Sequence, residues 1–144
     1  MQTPERVFRV MAIDDDEDDQ ILFQRWVKRT DRAPVVRLVS SATAAMAFLK
    51  KLPANSPELP HVIFCDIKMP GVDGFDFLRW IRSSEHKQIP VVMRSASPLR
   101  TDIARAYQLG ANSYVVKRME PGAMEERINA LVHYWRDVAE VPGR

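Results

Sequence analysis

A single cysteine, Cys65, stands in a chain of 144 residues. One thiol excludes an internal disulfide framework and suits a reducing cytoplasm. Its neighbours Val62, Ile63 and Phe64 mark an apolar strand, which predicts an inert, buried thiol rather than a reactive one. Neither charge sign dominates: 21 Lys and Arg against 19 Asp and Glu leave a formal charge of +2. That balance supplies no basic field and predicts no nucleic-acid partner. No apolar run approaches the length of a membrane span. The opening Met1-Gln2-Thr3-Pro4-Glu5-Arg6 lacks the apolar stretch of a signal peptide. These absences predict a cytoplasmic chain with no membrane partner. Repeats and low-complexity tracts are missing too. What remains is 46% hydrophobic and 28% charged, an ordinary globular composition. The length predicts one domain over residues 1–144 with one sizeable core.

Short apolar runs alternate with helical patterns along the chain. Val7 to Ile13 reads as a first strand ending at an acidic run. Asp18 to Arg29 reads as a helix with Leu22, Phe23, Trp26 and Val27 on one side. Val35 to Val39, Val62 to Cys65, Val91 to Met93 and Tyr114 to Val116 read as further strands. Helices are predicted over Ala42 to Lys51, Phe75 to Arg82, Thr101 to Leu109 (with Gly110 as the cap) and Pro121 to Val138. In the last of these, Met124, Ile128, Leu131, Trp135 and Val138 form an apolar stripe. Pro53 to Pro60 is a loop by its prolines. Apolar strands between helices imply an α/β fold, a parallel sheet covered on both faces. Right-handed crossovers favour a doubly wound, flavodoxin-like sheet of five strands in the order 2-1-3-4-5. Such a sheet places its ligand crevice at the carboxyl ends of strands 1 and 3. Those two ends carry Asp14-Asp15 and Asp66.

Three carboxylates in one crevice repel each other, and a divalent cation resolves the repulsion. Oxygen ligands with room for water and a phosphate oxygen suit magnesium. A carboxylate is also a nucleophile for phosphoryl transfer, which needs positioning and neutralised oxygens. Lys117 ends strand 5 and offers a positive charge. Ser95, at the end of strand 4, offers a hydroxyl.

Four pieces in order carry a family likeness: Ile13-Asp14-Asp15-Asp16, Cys65-Asp66-Ile67-Lys68-Met69-Pro70-Gly71-Val72-Asp73-Gly74, Ser95-Ala96, and Tyr114-Val115-Val116-Lys117. Together they resemble the receiver domain of two-component response regulators over about residues 7 to 138. The spacing between strands 2 and 3 and the ending Tyr134-Trp135-Arg136-Asp137-Val138 resemble the stand-alone regulators paired with bacterial phytochromes. The resemblance implies that Asp66 accepts a phosphoryl group from a sensor histidine kinase, here of phytochrome type, with Mg2+ or Mn2+. It implies that Asp15 binds the metal directly, Asp14 through water, and Lys68 through its backbone carbonyl. Lys117 would pair with the phosphoryl group, while Ser95 and Tyr114 would be the switch residues. Two positions depart from the family pattern. Arg118 follows Lys117 where the family has a proline after a cis peptide, so a trans bond is expected, because a non-proline cis bond costs about 3 kcal/mol. Arg94 stands where an apolar residue precedes the switch hydroxyl.

Other chemistries fit less well. A calcium loop beginning at Asp14 needs glycine sixth and glutamate twelfth, and those places hold Asp19 and Arg25. His61, His86 and His133 lack metal-ligand spacing and read as surface or loop residues. An aspartyl phosphohydrolase would place a second aspartate where Lys68 stands, so the expectation is a switch and not an enzyme. A receiver reduced to a binding module would have lost Asp66 or Lys117. Only 27 residues follow Lys117 in the 144, so no output domain is expected there. Signalling is instead expected through the helix 4–strand 5–helix 5 face, with homodimerisation through it strengthened by phosphorylation.

Overall fold

The structure, a computed structural model, describes residues 7–142. Strands β1 (Arg9–Ile13), β2 (Val35–Val39), β3 (Val62–Asp66), β4 (Val91–Ser95) and β5 (Ser113–Val116) alternate with helices. These are α1 (Glu17–Lys28), α2 (Ala42–Lys50), α3 (Gly74–Arg82), α4 (Arg100–Gln108) and α5 (Ala123–His133). All strand pairs are parallel, and the order is β2-β1-β3-β4-β5, as the strand–helix alternation predicts.

The period of two along each strand sorts its side chains between two layers. Val10, Ala12, Val62, Phe64, Val92 and Val115 face one core with Phe23 and Val27 of α1 and Met124, Ile128 and Val132 of α5. Met11, Ile13, Ile63, Cys65 and Met93 face the other, with residues of α2, α3 and Ala106 of α4. Every residue of β3 and β4 is buried. β2 departs from the expected burial: Val35 is 47% exposed and Leu38 37%. It lies at the sheet edge, where only one neighbour covers it. In α1, Leu22 is likewise exposed, and Phe23 and Val27 alone are fully buried.

Local chemistry fixes the helix ends. Asp16 caps α1 by accepting from the Asp19 amide. Asp73 caps α3, with Asp76 completing a capping box. Gly74 starts α3 against the end of β3: its amide donates to the Ile67 carbonyl at 2.8 Å. A Cβ there would lie 2.7 Å from Ile67 Cα. Glycine is therefore needed for close approach, not for a turn conformation. Gly110, at φ 104°, ends α4 as the sequence indicates.

Two expectations need correction. The last helix begins after Gly122, not at the expected Pro121, because Gly122 takes a left-handed φ of 77°, and it ends as a π-helical turn over Tyr134–Val138. The Ala139 amide bonds to the Tyr134 carbonyl at 2.8 Å, the i→i+5 spacing that widens a turn. Val138 consequently leaves the apolar stripe and is 58% exposed. His86 is not a surface residue: it is 4% exposed, and its Nε2 lies 2.8 Å from the Leu49 carbonyl. A polar ring buried beside α2 is tolerated because that carbonyl partners it. His61 is half-buried, its Nδ1 accepting from the Arg9 amide, and His133 is exposed.

Candidate functional site

The carboxyl ends of β1, β3, β4 and β5 lie side by side, and the chain places an ionisable or hydroxyl side chain on each. Asp14 follows β1, Asp66 ends β3, Ser95 ends β4 and Lys117 follows β5. Asp14, Asp66 and Ser95 are buried, at 1%, 7% and 1% exposure. Asp15 is exposed and Lys68 is exposed two residues beyond Asp66.

Asp14 is held from several sides. Its Oδ1 accepts from the Asp16 amide at 3.0 Å. Its Oδ2 lies 3.3 Å from Lys117 Nζ and 3.9 Å from Arg94 Nη1. Lys117 Nζ also lies 3.3 Å from Asp66 Oδ2 and 2.8 Å from Asp19 Oδ2. Behind them, the buried Gln20 donates to the carbonyls of Ala12, Asp14 and Val39 and fixes the acidic turn against β1 and β2. One oxygen each of Asp14, Asp15 and Asp66 lies within 4.8 Å of the others. Three oxygen donors so grouped, one of them facing solvent, fit a hard divalent cation that keeps water ligands.

Burial pushes the Asp66 carboxyl up to about 6 against the pull of Lys117, and Asp14 adds to the rise. For Lys117, burial works to lower the pKa, but the bond from Asp19 and the charges of Asp66 and Asp14 outweigh it and hold the ammonium above its ordinary range. Burial pushes the Cys65 thiol well up, with Asp66 adding to the shift. That thiol is fully buried, in keeping with an inert role.

The switch candidates form a second network. Ser95 Oγ accepts from the Ser97 amide at 3.1 Å. The half-buried Tyr114 hydroxyl donates to the Ser97 carbonyl at 2.9 Å, and the Ser97 hydroxyl donates to Asp102 Oδ2 at 2.6 Å. The Lys117 amide donates to the Ser95 carbonyl at 2.8 Å, which ties the two strand ends together. Among the described residues no peptide bond is cis, so Lys117 and Arg118 are joined in trans as expected.

The expected residues Asp14, Asp15, Asp66 and Lys117 therefore converge, and Ser95 and Tyr114 meet one β4–α4 loop. Sequence reasoning missed Asp19 as a partner of Lys117, Gln20 as a brace and Ser97 as the link between Ser95 and Tyr114. It singled out Arg94 only as a departure. Arg94 is 2% exposed, with its guanidinium carbon 5.2 Å from the Phe23 ring centre. Alternation along β4 was the available signal, because it puts residue 94 on the same face as Val92.

The chain matches the response regulator receiver domain over residues 10–129. It is 26% identical over 136 residues to the response regulator Rcp1 of a Synechocystis species, covering 92% of each chain. It is 35% identical over 123 residues to a protein-glutamate methylesterase/protein-glutamine glutaminase of Trichodesmium erythraeum, covering 84% of this chain but only 33% of that enzyme. Among solved structures, the phosphorylated cyanobacterial phytochrome response regulator RcpA is 27% identical, with a TM-score of 0.85 over 94% of this chain and 99% of that one. The Mn(2+)-bound form of Rcp1 is 26% identical, with a TM-score of 0.82 over 94% and 99%. The converging aspartates, the shared fold and the match over most of the chain lead to one assignment: the chain belongs to the response regulator receiver domain family.

Proposed function

We propose that the chain is a stand-alone, cytoplasmic response regulator that accepts a phosphoryl group on Asp66 from a sensor histidine kinase in a magnesium-dependent reaction. The observation that carries this reading is the geometry around Asp66: its carboxylate shares one 4.8 Å cluster with Asp14 and Asp15, and Lys117 Nζ stands 3.3 Å from it. Asp66 would attack the phosphorus as a carboxylate, forming an acyl phosphate as the P–N bond to the kinase's phosphorylated histidine breaks and the imidazole leaves with that electron pair. A bound Mg2+ or Mn2+ would supply positive charge to the phosphoryl oxygens, and Lys117, 3.3 Å from Asp66, supplies a second. Asp15, Asp14, Asp66 and the Lys68 carbonyl would hold the metal. Ser95 then turns toward the phosphoryl group, Tyr114 follows, and the α4–β5–α5 face carries the change to a partner.

The likeness to RcpA and Rcp1 supports the stand-alone reading and a phytochrome-type kinase as the donor. Lys68, two residues after Asp66, has no carboxylate with which to activate water, which supports a switch over a turnover enzyme. The test is incubation with acetyl phosphate and Mg2+ followed by intact-mass measurement. Wild type should gain one phosphoryl group, and Asp66→Asn should gain none. An equal adduct on both proteins would refute Asp66 as the acceptor.

A further inference from the structure

We propose that Arg94 is a built-in counter-cation of the aspartate cluster, and that its charge weakens the cluster's hold on magnesium. The inference rests on the metal-binding reading of that cluster. A guanidinium at 2% exposure is costly to bury unless a charge compensates it. The nearest compensation is Asp14 Oδ2, 3.9 Å from Nη1. No closer pairing offsets it: among the described residues the buried Nε has no hydrogen-bond partner. The Phe23 ring face, 5.2 Å from the guanidinium carbon, supplies only a weak cation–π contact. Strand register adds proximity, since Arg94 pairs with Asp66 across β3 and β4.

Asp14 thus faces two cations, Arg94 and Lys117. The cluster of Asp14, Asp15, Asp19 and Asp66 is already offset by two positive charges before any metal arrives. With a neutral side chain at position 94, only Lys117 would oppose those four carboxylates. The same charge that repels a divalent ion also lowers the repulsion among the carboxylates while no ion is bound. Arg94 therefore exchanges metal affinity for a pocket that holds together without metal. It acts through Asp14 and through the field and need not touch the phosphoryl group, so it is a positioning residue.

Calorimetric titration of the full chain with Mg2+ tests this, using Arg94→Met and Arg94→Gln as neutral variants and Arg94→Lys as the charge-preserving one. At an effective dielectric of about 20, loss of a unit charge 3.9 Å from an oxygen of the Asp14 carboxylate should tighten the magnesium dissociation constant about tenfold or more. Arg94→Lys should stay within about threefold of wild type. A merely structural role could only damage the site, so tighter binding in a neutral variant would not follow from it. Circular dichroism identifies which neutral variant is folded, and either one suffices. Equal affinity in wild type and a folded neutral variant overturns the inference alone. Tightening in Arg94→Lys equal to that in Arg94→Met overturns it as well. Absence of magnesium binding in every protein overturns the metal-site reading and this inference with it.

Discussion

Lys117 donates to Asp19 at 2.8 Å, a closer contact than the 3.3 Å that separates it from Asp66. In the resting pocket the lysine is thus shared, and the carboxylate of α1 holds it more tightly than the acceptor does. Asp19→Asn should release the ammonium toward Asp66 and remove one nearby anion. Both effects favour the charged form of Asp66, so its pKa should fall below the present value of about 6. Carboxyl 13C titration in metal-free buffer reads this directly. An unchanged or raised value would show that Asp19 does not compete for the lysine.

The same titration has a stability consequence. Burial first, and Asp14 after it, hold the folded pKa of Asp66 at about 6 where the ordinary value is 3.8. Between about pH 4 and 6 the folded chain binds a proton that the unfolded chain has released, so this group's contribution to stability falls as pH rises through that window. Asp66→Asn has no such proton to lose. In urea denaturation with a chelator, the variant should overtake wild type as pH rises from about 4 to 7. A constant difference between the two across that range would contradict the assignment of the shift.

Asp14 and Asp15 should separate metal binding from folding. Asp15 is exposed, so Asp15→Ala should abolish most magnesium affinity and leave the melting temperature nearly unchanged. Asp14 is buried against Lys117 and Arg94. Asp14→Ala strands the Arg94 charge and should cost about 3 kcal/mol of stability, with a smaller effect on metal affinity. Thermal melts and magnesium titrations of the two variants check both halves. Equal metal affinity in wild type and Asp15→Ala would exclude Asp15 as a direct ligand.

Self-association is the fourth prediction. Trp135 is partly buried against the core of its own chain. Exposed apolar groups lie at Leu99 and Tyr107 of the α4 region and at Met119 beyond β5, which is 98% exposed, as well as at Tyr134 and Val138 after α5. A symmetric contact there, favoured by phosphorylation through a coupling of about 1–3 kcal/mol, should appear in sedimentation velocity when beryllofluoride and magnesium are added. Tyr107→Glu should abolish it. Monomeric profiles in both states would move the output to a different partner protein.

The fold was legible because the runs Val62 to Cys65 and Val91 to Met93 at its centre are wholly apolar and the helices between strands are periodic. Strand ends Ile13 and Cys65 then led straight to Asp14, Asp15 and Asp66. The contact of Asp19 with Lys117 was not legible, since it joins residues 98 apart and nothing in an acidic helix start singles out one carboxylate. The sequence marked Arg94 as unusual and alternation gave its face, but the reach of its guanidinium to Asp14 depends on a rotamer. His86 lies in a loop as expected, but its burial was not legible, since it is made by α2, which lies far from it in sequence. Gly122 could have moved the start of α5, since a glycine before a helix often takes a left-handed turn.

The Ser97 amide bond to Ser95 Oγ also bears on how silent the unphosphorylated chain is. In the proposed switch, Ser95 gives up that bond when it turns to the crevice. A net hydrogen bond of about 1 kcal/mol corresponds to roughly a fivefold preference for the resting rotamer. If that bond alone sets the bias, the chain rests in the signalling rotamer about one-sixth of the time, and phosphorylation can raise the output no more than about sixfold above that background. A regulator built this way has a shallow dynamic range and a standing basal signal, and its contrast must come from the partner that reads it.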